Sequence, residues 1–166
     1  MRYLKGIEAE DADKFCKRAS EIAINSICQK SQHGAVIVKD NKIIGEGWNT
    51  PASGERCNPC RRGCGSDDSR AELCNAVYAQ HTAIMAALKA GQDLKGSKMY
   101  HAKIKNGVVM RNQEPRFTPC SRLIQHVGIS DFILLNTQGY CLYDSDEYNR
   151  FSYEFNEKEE KKRFRH

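Results

Sequence analysis

The chain has 166 residues, 40% hydrophobic and 28% charged, with 26 basic against 21 acidic side chains and a net charge of +5. This length suits one globular domain with its own core, and there is no apolar run of about 18 residues to cross a membrane as a helix. The positive charge is spread widely, which argues against a nucleic-acid polymer as partner. With no leader pattern at its start, a cytoplasmic, reducing address is expected.

Helical periodicity is found first over residues 11–27, where Phe15, Ala19, Ile22, Ala23 and Ile27 share one face. A hairpin follows, with strands over 35–38 and 43–47 and a turn at Asp40-Asn41. Next comes a stretch rich in glycine, serine and arginine that holds Cys57-Asn58-Pro59-Cys60 and Cys64. A long helix is expected over 71–90, capped by Ser69 and closed by Gly91, with Ala76, Ala79, Ala83 and Ala87 on its apolar face.

Residues 98–104 read as a strand, and Asn106-Gly107 is a strong hairpin turn leading into 108–110. A short helix over 119–127 ends at Gly128, residues 132–135 form a buried strand, and a short strand and helix fill 141–155. Residues 156–166 are charged and aperiodic, so a flexible tail is expected beyond a single domain over 1–155. The order α-β-β-α-β-α-β predicts an α/β fold of three layers, α/β/α, around a mixed sheet of about five strands.

Eight cysteines in a chain with no other mark of secretion fit metal ligation better than a disulfide framework. The C-x-x-C spacing of Cys57 and Cys60 is the usual half of a structural zinc site. Free thiols in a reducing compartment are the alternative, and Cys16 and Cys141 read as ordinary buried residues.

Two segments bear on chemistry. Glu72-Leu73-Cys74-Asn75-Ala76-Val77-Tyr78-Ala79-Gln80-His81-Thr82-Ala83-Ile84-Met85 resembles the helix "ELC-x-A-V-H-A-E-x-x-A-I-M" of the zinc-dependent cytidine and deoxycytidylate deaminases. Pro115-Arg116-Phe117-Thr118-Pro119-Cys120-Ser121-Arg122-Leu123-Ile124 is similar to that family's "P-x-C-T-x-C-S-R-L-I". Gly34-Ala35-Val36-Ile37-Val38, Gly47-Trp48-Asn49-Thr50-Pro51 and Gly128-Ile129-Ser130 extend the likeness over nearly the whole chain, closest to the deoxycytidylate branch.

The resemblance implies a cytidine-deaminase-like fold, and it marks what has changed. The family holds zinc with one histidine and two cysteines and moves protons with a glutamate. Tyr78, Phe117 and Cys120 stand at the three ligand positions and Gln80 at the glutamate position. Only Cys120 keeps its family identity. A phenol must ionise before it can ligate, a phenyl ring has no lone pair, and a glutamine amide has no titratable proton.

The usual catalytic zinc is therefore expected to be absent. A rearranged ligand set of His81, Cys120 and His101 is the alternative. Shifting the register to bring His81 to the ligand face leaves no glutamate two residues on, so slippage does not rescue the motif.

The same resemblance assigns Asn49 to substrate sugar or base, and Trp48 to an aromatic wall unless it is plain core. It assigns Cys28, Cys57, Cys60 and Cys74 to a second, structural zinc, with Cys64 in reserve. His33 and His101 read as structural histidines, and Arg122 as a phosphate, subunit or surface ion-pair residue.

The functions left open are an inactive relative binding a nucleotide or nucleoside, a subunit of a homo-oligomer or of a mixed oligomer with an active relative, and a (deoxy)cytidylate deaminase with unorthodox ligands. No membrane partner is expected.

Overall fold

The computed structural model describes residues 1–61 and 73–163. Its elements run β1 (Arg2–Tyr3), α1 (Ile7–Ala23), β2 (Gln32–Lys39), β3 (Lys42–Trp48), β4 (Thr50–Pro51), β5 (Ala76–Val77), α2 (Ala79–Lys89), β6 (Lys98–Lys105), β7 (Val108–Val109), α3 (Thr118–His126), β8 (Asp131–Asn136), β9 (Gly139–Asp144) and α4 (Ser145–Arg163).

The main sheet has the order β1-β9-β8-β6-β2-β3, with β7 paired to β6. Only the β6–β8 pairing is parallel, so the sheet is mixed as expected. Five strands of six to eight residues form its body, and the two-residue β1 and β7 extend it at its margins.

Alternation along the strands sends side chains to two helical layers. On one face Val36, Val38, Tyr100, Ala102 and Ile133 pack against Phe15, Cys16, Ala19 and Ile22 of α1. On the other, Ala35, Ile37, Met99, Phe132 and Leu134 pack against Ala83, Ile84 and Ala87 of α2, Ile124 of α3 and Tyr148 of α4. Two close approaches need glycine: a Cβ on Gly34 would strike the Ala19 carbonyl of α1, and one on Gly47 would strike the Ala83 amide of α2. Cys16 and Cys141 are buried in these layers as expected.

The turns agree with the sequence. Asp40, Asn41, Asn106 and Gly107 all take positive φ, and Gly91 and Gly128 close α2 and α3 with φ of 69° and 80°.

Three boundaries differ. Helix α1 starts earlier than residue 11 and ends at Ala23; Ile27 lies beyond it and is 37% exposed, because its fit to the apolar period was no more than numerical. The helix expected over 71–90 begins only at Ala79, since Ala76 and Val77 pair with Pro51 and Thr50 as an antiparallel ribbon. Ser69, its expected cap, lies outside the described residues. The last helix continues to Arg163 rather than ending near residue 155. It holds no glycine or proline to break it, and Asn156 Nδ2 donates to Ser152 O and to Arg116 O, both at 2.7 Å, on the way through.

Candidate functional site

The late start of α2 shapes the site. Tyr78 is not inside a helix but is its N-cap, in extended conformation with φ −70° and ψ 150°, and Phe117 caps α3 in the same way. The two helix starts converge, placing Gln80 and Cys120 face to face in the core.

Gln80 is 4% exposed and Cys120 is fully buried, and the thiol donates to Gln80 Oε1 at 3.7 Å. Above them the rings of Tyr78 and Phe117 lie with centroids 5.5 Å apart, tilted 34°. Burial alone pushes the Cys120 thiol far above its ordinary value, so it stands as a neutral donor.

The four positions singled out in the sequence are thus brought together. Three of them, Tyr78, Gln80 and Phe117, border a cavity of about 60 Å³ that is also lined by Asn49, Ser31 and His33, with Cys120 buried behind it. That volume corresponds to about two waters at roughly 30 Å³ each, smaller than a six-membered ring and well short of a whole nucleotide.

The donor set does not fit a catalytic zinc. A zinc site needs three N, O or S ligands from the protein, whereas Phe117 offers none and Gln80 offers only a neutral amide oxygen already facing the thiol. The rearranged set is not assembled either. His101 uses both ring nitrogens, on Gln113 Oε1 at 2.8 Å and on His33 at 3.1 Å. Among the described residues, no three histidine, cysteine or acidic side chains stand close enough together to hold an ion.

His81 makes an edge-on contact with Tyr78 at 5.4 Å, and its buried Nε2 finds no hydrogen-bond partner among the described residues. Burial lowers its pKa, with the Pro119 carbonyl opposing.

The four cysteines assigned to a structural zinc come near one another without converging. Cys28, Cys60 and Cys74 line the same cavity, and Gln29 Nε2 donates to Cys57 O at 2.7 Å, tying that loop to the segment after α1. Cys64 lies outside the described residues. Four soft thiols suit zinc by their chemistry, although they do not form a closed shell as placed.

Asn49, 6% exposed, is committed to the backbone: its Oδ1 accepts from His33 N at 2.7 Å and its Nδ2 donates to Ser31 O at 3.0 Å. Trp48 is 36% exposed and is not among the residues lining the cavity. Arg122 Nε donates back to Thr118 O at 3.3 Å, within its own helix.

The family model for the cytidine and deoxycytidylate deaminase zinc-binding region matches residues 9–136. The chain belongs to that family. It is 33% identical over 123 residues to the deoxycytidylate deaminase of Mycobacterium phage D29, covering 69% of this chain and 86% of that one. It is 30% identical over 122 residues to the deoxycytidylate deaminase of Schizosaccharomyces pombe, covering 72% of this chain but only 35% of the longer yeast protein. Among solved structures, the dCMP deaminase of cyanophage S-TIM5 in complex with dCMP and dUMP superposes with a TM-score of 0.56 at 22% identity, covering 76% of this chain and 82% of the phage chain. At that identity the likeness speaks for the shared deaminase fold alone.

Sequence reasoning missed one feature beside the family motif. Ser31, His33, His101 and Gln113 form a continuous hydrogen-bonded series: Ser31 Oγ to His33 Nε2 at 2.7 Å, His33 Nδ1 to His101 Nε2 at 3.1 Å, His101 Nδ1 to Gln113 Oε1 at 2.8 Å. The Ser-x-His spacing at the start of β2 was legible in the sequence. Its meeting with His101 depends on strand register, which was not.

Proposed function

We propose that this deaminase-family chain has lost metal-hydroxide chemistry and keeps its pocket for binding, taking the base of a pyrimidine nucleotide or nucleoside between the Tyr78–Phe117 pair and Asn49. The observation that supports this reading is the neutral, buried Cys120–Gln80 contact, which stands where the family has a thiolate and a carboxylate. Hydrolytic deamination needs an activated water and a proton shuttle, and neither residue supplies one. The cavity as it stands is smaller than a base, so binding would require the Tyr78 and Phe117 rings to part, with sugar and phosphate outside near Lys30 and Lys103, which line the same cavity.

Association with further copies, or with an active relative, belongs to the same reading. Its support is the exposure of Trp48, Met85 and Leu88 on β3 and α2, 36%, 43% and 53%, next to the sheet's terminal strand. A structural zinc on Cys28, Cys57, Cys60 and Cys74 is part of the proposal as well. When bound, it would cross-link a loop without apolar content to the end of α1.

Calorimetry with dCMP, deoxycytidine and dUMP, run beside an ammonia-release assay and zinc analysis, tests the binding, catalytic and metal parts of this reading, and sedimentation of the chain tests association. Heat with a nucleotide, no ammonia, and about one zinc lost on Cys57→Ser/Cys60→Ser is the expected result. Ammonia release with about two zinc ions per chain would establish a deaminase with unorthodox ligands instead. No heat with any of the three ligands removes the binding role and leaves the oligomer.

A further inference from the structure

Ser31 lies immediately before β2, so on extended backbone it points to the same side as His33, two residues on. In the β2–β6 ladder His33 stands opposite Lys103, which brings His101 to the diagonal position within reach of its ring. Asn49 then clamps the pair through two hydrogen bonds, one to the His33 amide and one to the Ser31 carbonyl.

With His33 neutral, one set of tautomers satisfies the whole series. Gln113 Nε2 donates to Met110 O at 3.1 Å, so its Oε1 faces His101 as acceptor and His101 Nδ1 carries the hydrogen. His101 is buried and neutral at ordinary pH, leaving Nε2 a bare acceptor for His33 Nδ1–H. The other His33 nitrogen therefore presents its lone pair to the Ser31 hydroxyl. A hydroxyl, a base that takes its proton, and a third group that fixes the base's tautomer are the three parts of an activated nucleophile.

We propose that Ser31, His33 and His101 form a nucleophilic triad that hydrolyses small carboxylic esters. Ser31 and His33 border the same cavity, whose 60 Å³ admits an acyl group of about two or three carbons by the water-sized measure above. Ser31 Oγ attacks the carbonyl carbon while its proton passes to His33 Nε2. The bond to the alkoxy oxygen breaks as that proton is returned to it, and the alcohol leaves. Water then repeats the sequence on the Ser31 ester, releasing the carboxylic acid and restoring the hydroxyl. Asn49 and His101 act as positioning residues. None of these groups belongs to the degenerate zinc motif; the cavity and Asn49 are shared with the proposed nucleotide site, but Ser31 acetylation and nucleotide heat are separate readouts, so the failure of either is distinguishable.

Incubating the full chain with p-nitrophenyl acetate, following nitrophenolate release and mapping the acetyl group by peptide mass, tests the triad. Acetylation at Ser31 is expected, lost in Ser31→Ala, retained in Ser31→Cys, and slowed about 10²-fold or more in His33→Gln. His101→Gln should lower the acylation rate constant while leaving the half-saturating ester concentration in place. An unmodified Ser31 in the folded parent chain, acetyl found only on lysine or cysteine, or a rate indifferent to His33→Gln would each overturn the proposal.

Discussion

Where α2 and α3 begin, Gln80 and Cys120 meet at 3.7 Å beside a pair of aromatic rings; around His33 of β2 and His101 of β6, by contrast, Ser31, the two histidines and Gln113 are joined by contacts of 2.7, 3.1 and 2.8 Å. Each cluster reaches one cavity at one end, through Gln80 in the first and through Ser31 and His33 in the second, and they are built in opposite senses. At the helix starts, groups that hold metal or protons in the family are replaced by side chains that pack. On the strands, every polar atom in the series is matched by another. Burial enforces the second pattern, because an unmatched polar group inside a protein costs more than a matched one contributes. The first pattern is stable for the opposite reason, since it leaves little polarity to match.

The largest expected effect comes from reversing the first pattern. The combined variant Tyr78→His/Gln80→Glu/Phe117→Cys restores the donor set, because the converging helix starts that carry those positions are intact. One additional zinc per chain is expected over the parent, with ammonia release from deoxycytidylate. Unchanged metal content would show that the frame as well as the ligands has drifted.

Acid comes next, and acts on the strand cluster. An unfolded histidine takes its proton near pH 6.5, whereas burial, reinforced by Lys103 and opposed by the Gln113 bond, lowers His101 to about 4. Between those values the unfolded chain binds the extra proton, so stability falls as pH drops through the window, by about 1.4 kcal/mol per unit. Urea unfolding between pH 7 and 4 should show this slope in the parent chain and a shallower one in His101→Asn. Parallel slopes would mean that His101 is not held neutral by the fold.

Gln113→Leu tests the matching itself. The substitution leaves the His101 Nδ1–H buried without an acceptor, which costs about 1–3 kcal/mol. A loss below about half a kcal/mol in denaturant titration would mean that the series ends at His101.

How much of this was readable beforehand depends on the range of the interaction. The two hairpin turns, the glycine closures and the three-layer order follow from local chemistry, and all appear. The family motif placed Tyr78, Gln80, Phe117 and Cys120 in one site before any coordinates, because motif spacing encodes where two helices start. The start of α2 at Ala79 was not legible, since Ala76 and Val77 fit a helical face equally well until Thr50 and Pro51 compete for them. The histidine pair was not legible either. His33 and His101 are far apart in sequence, and a one-residue slip of β2 against β6 would send them to opposite faces.

The smallest effect concerns the two rings that stand where the family's metal ligands would be. If Tyr78 and Phe117 simply exclude water without touching productively, Tyr78→Ala and Phe117→Ala will destabilise additively. Their centroids, 5.5 Å apart at 34°, lie within the range where aromatic pairs contribute about 0.5–1.5 kcal/mol beyond area. A double-mutant cycle should therefore return a coupling of that size, with His81, which meets the Tyr78 ring edge-on, left in place in all four proteins. Coupling near zero would mean that the two rings were retained for the cavity they border, and the nucleotide titration repeated on the same four proteins would then show the larger differences.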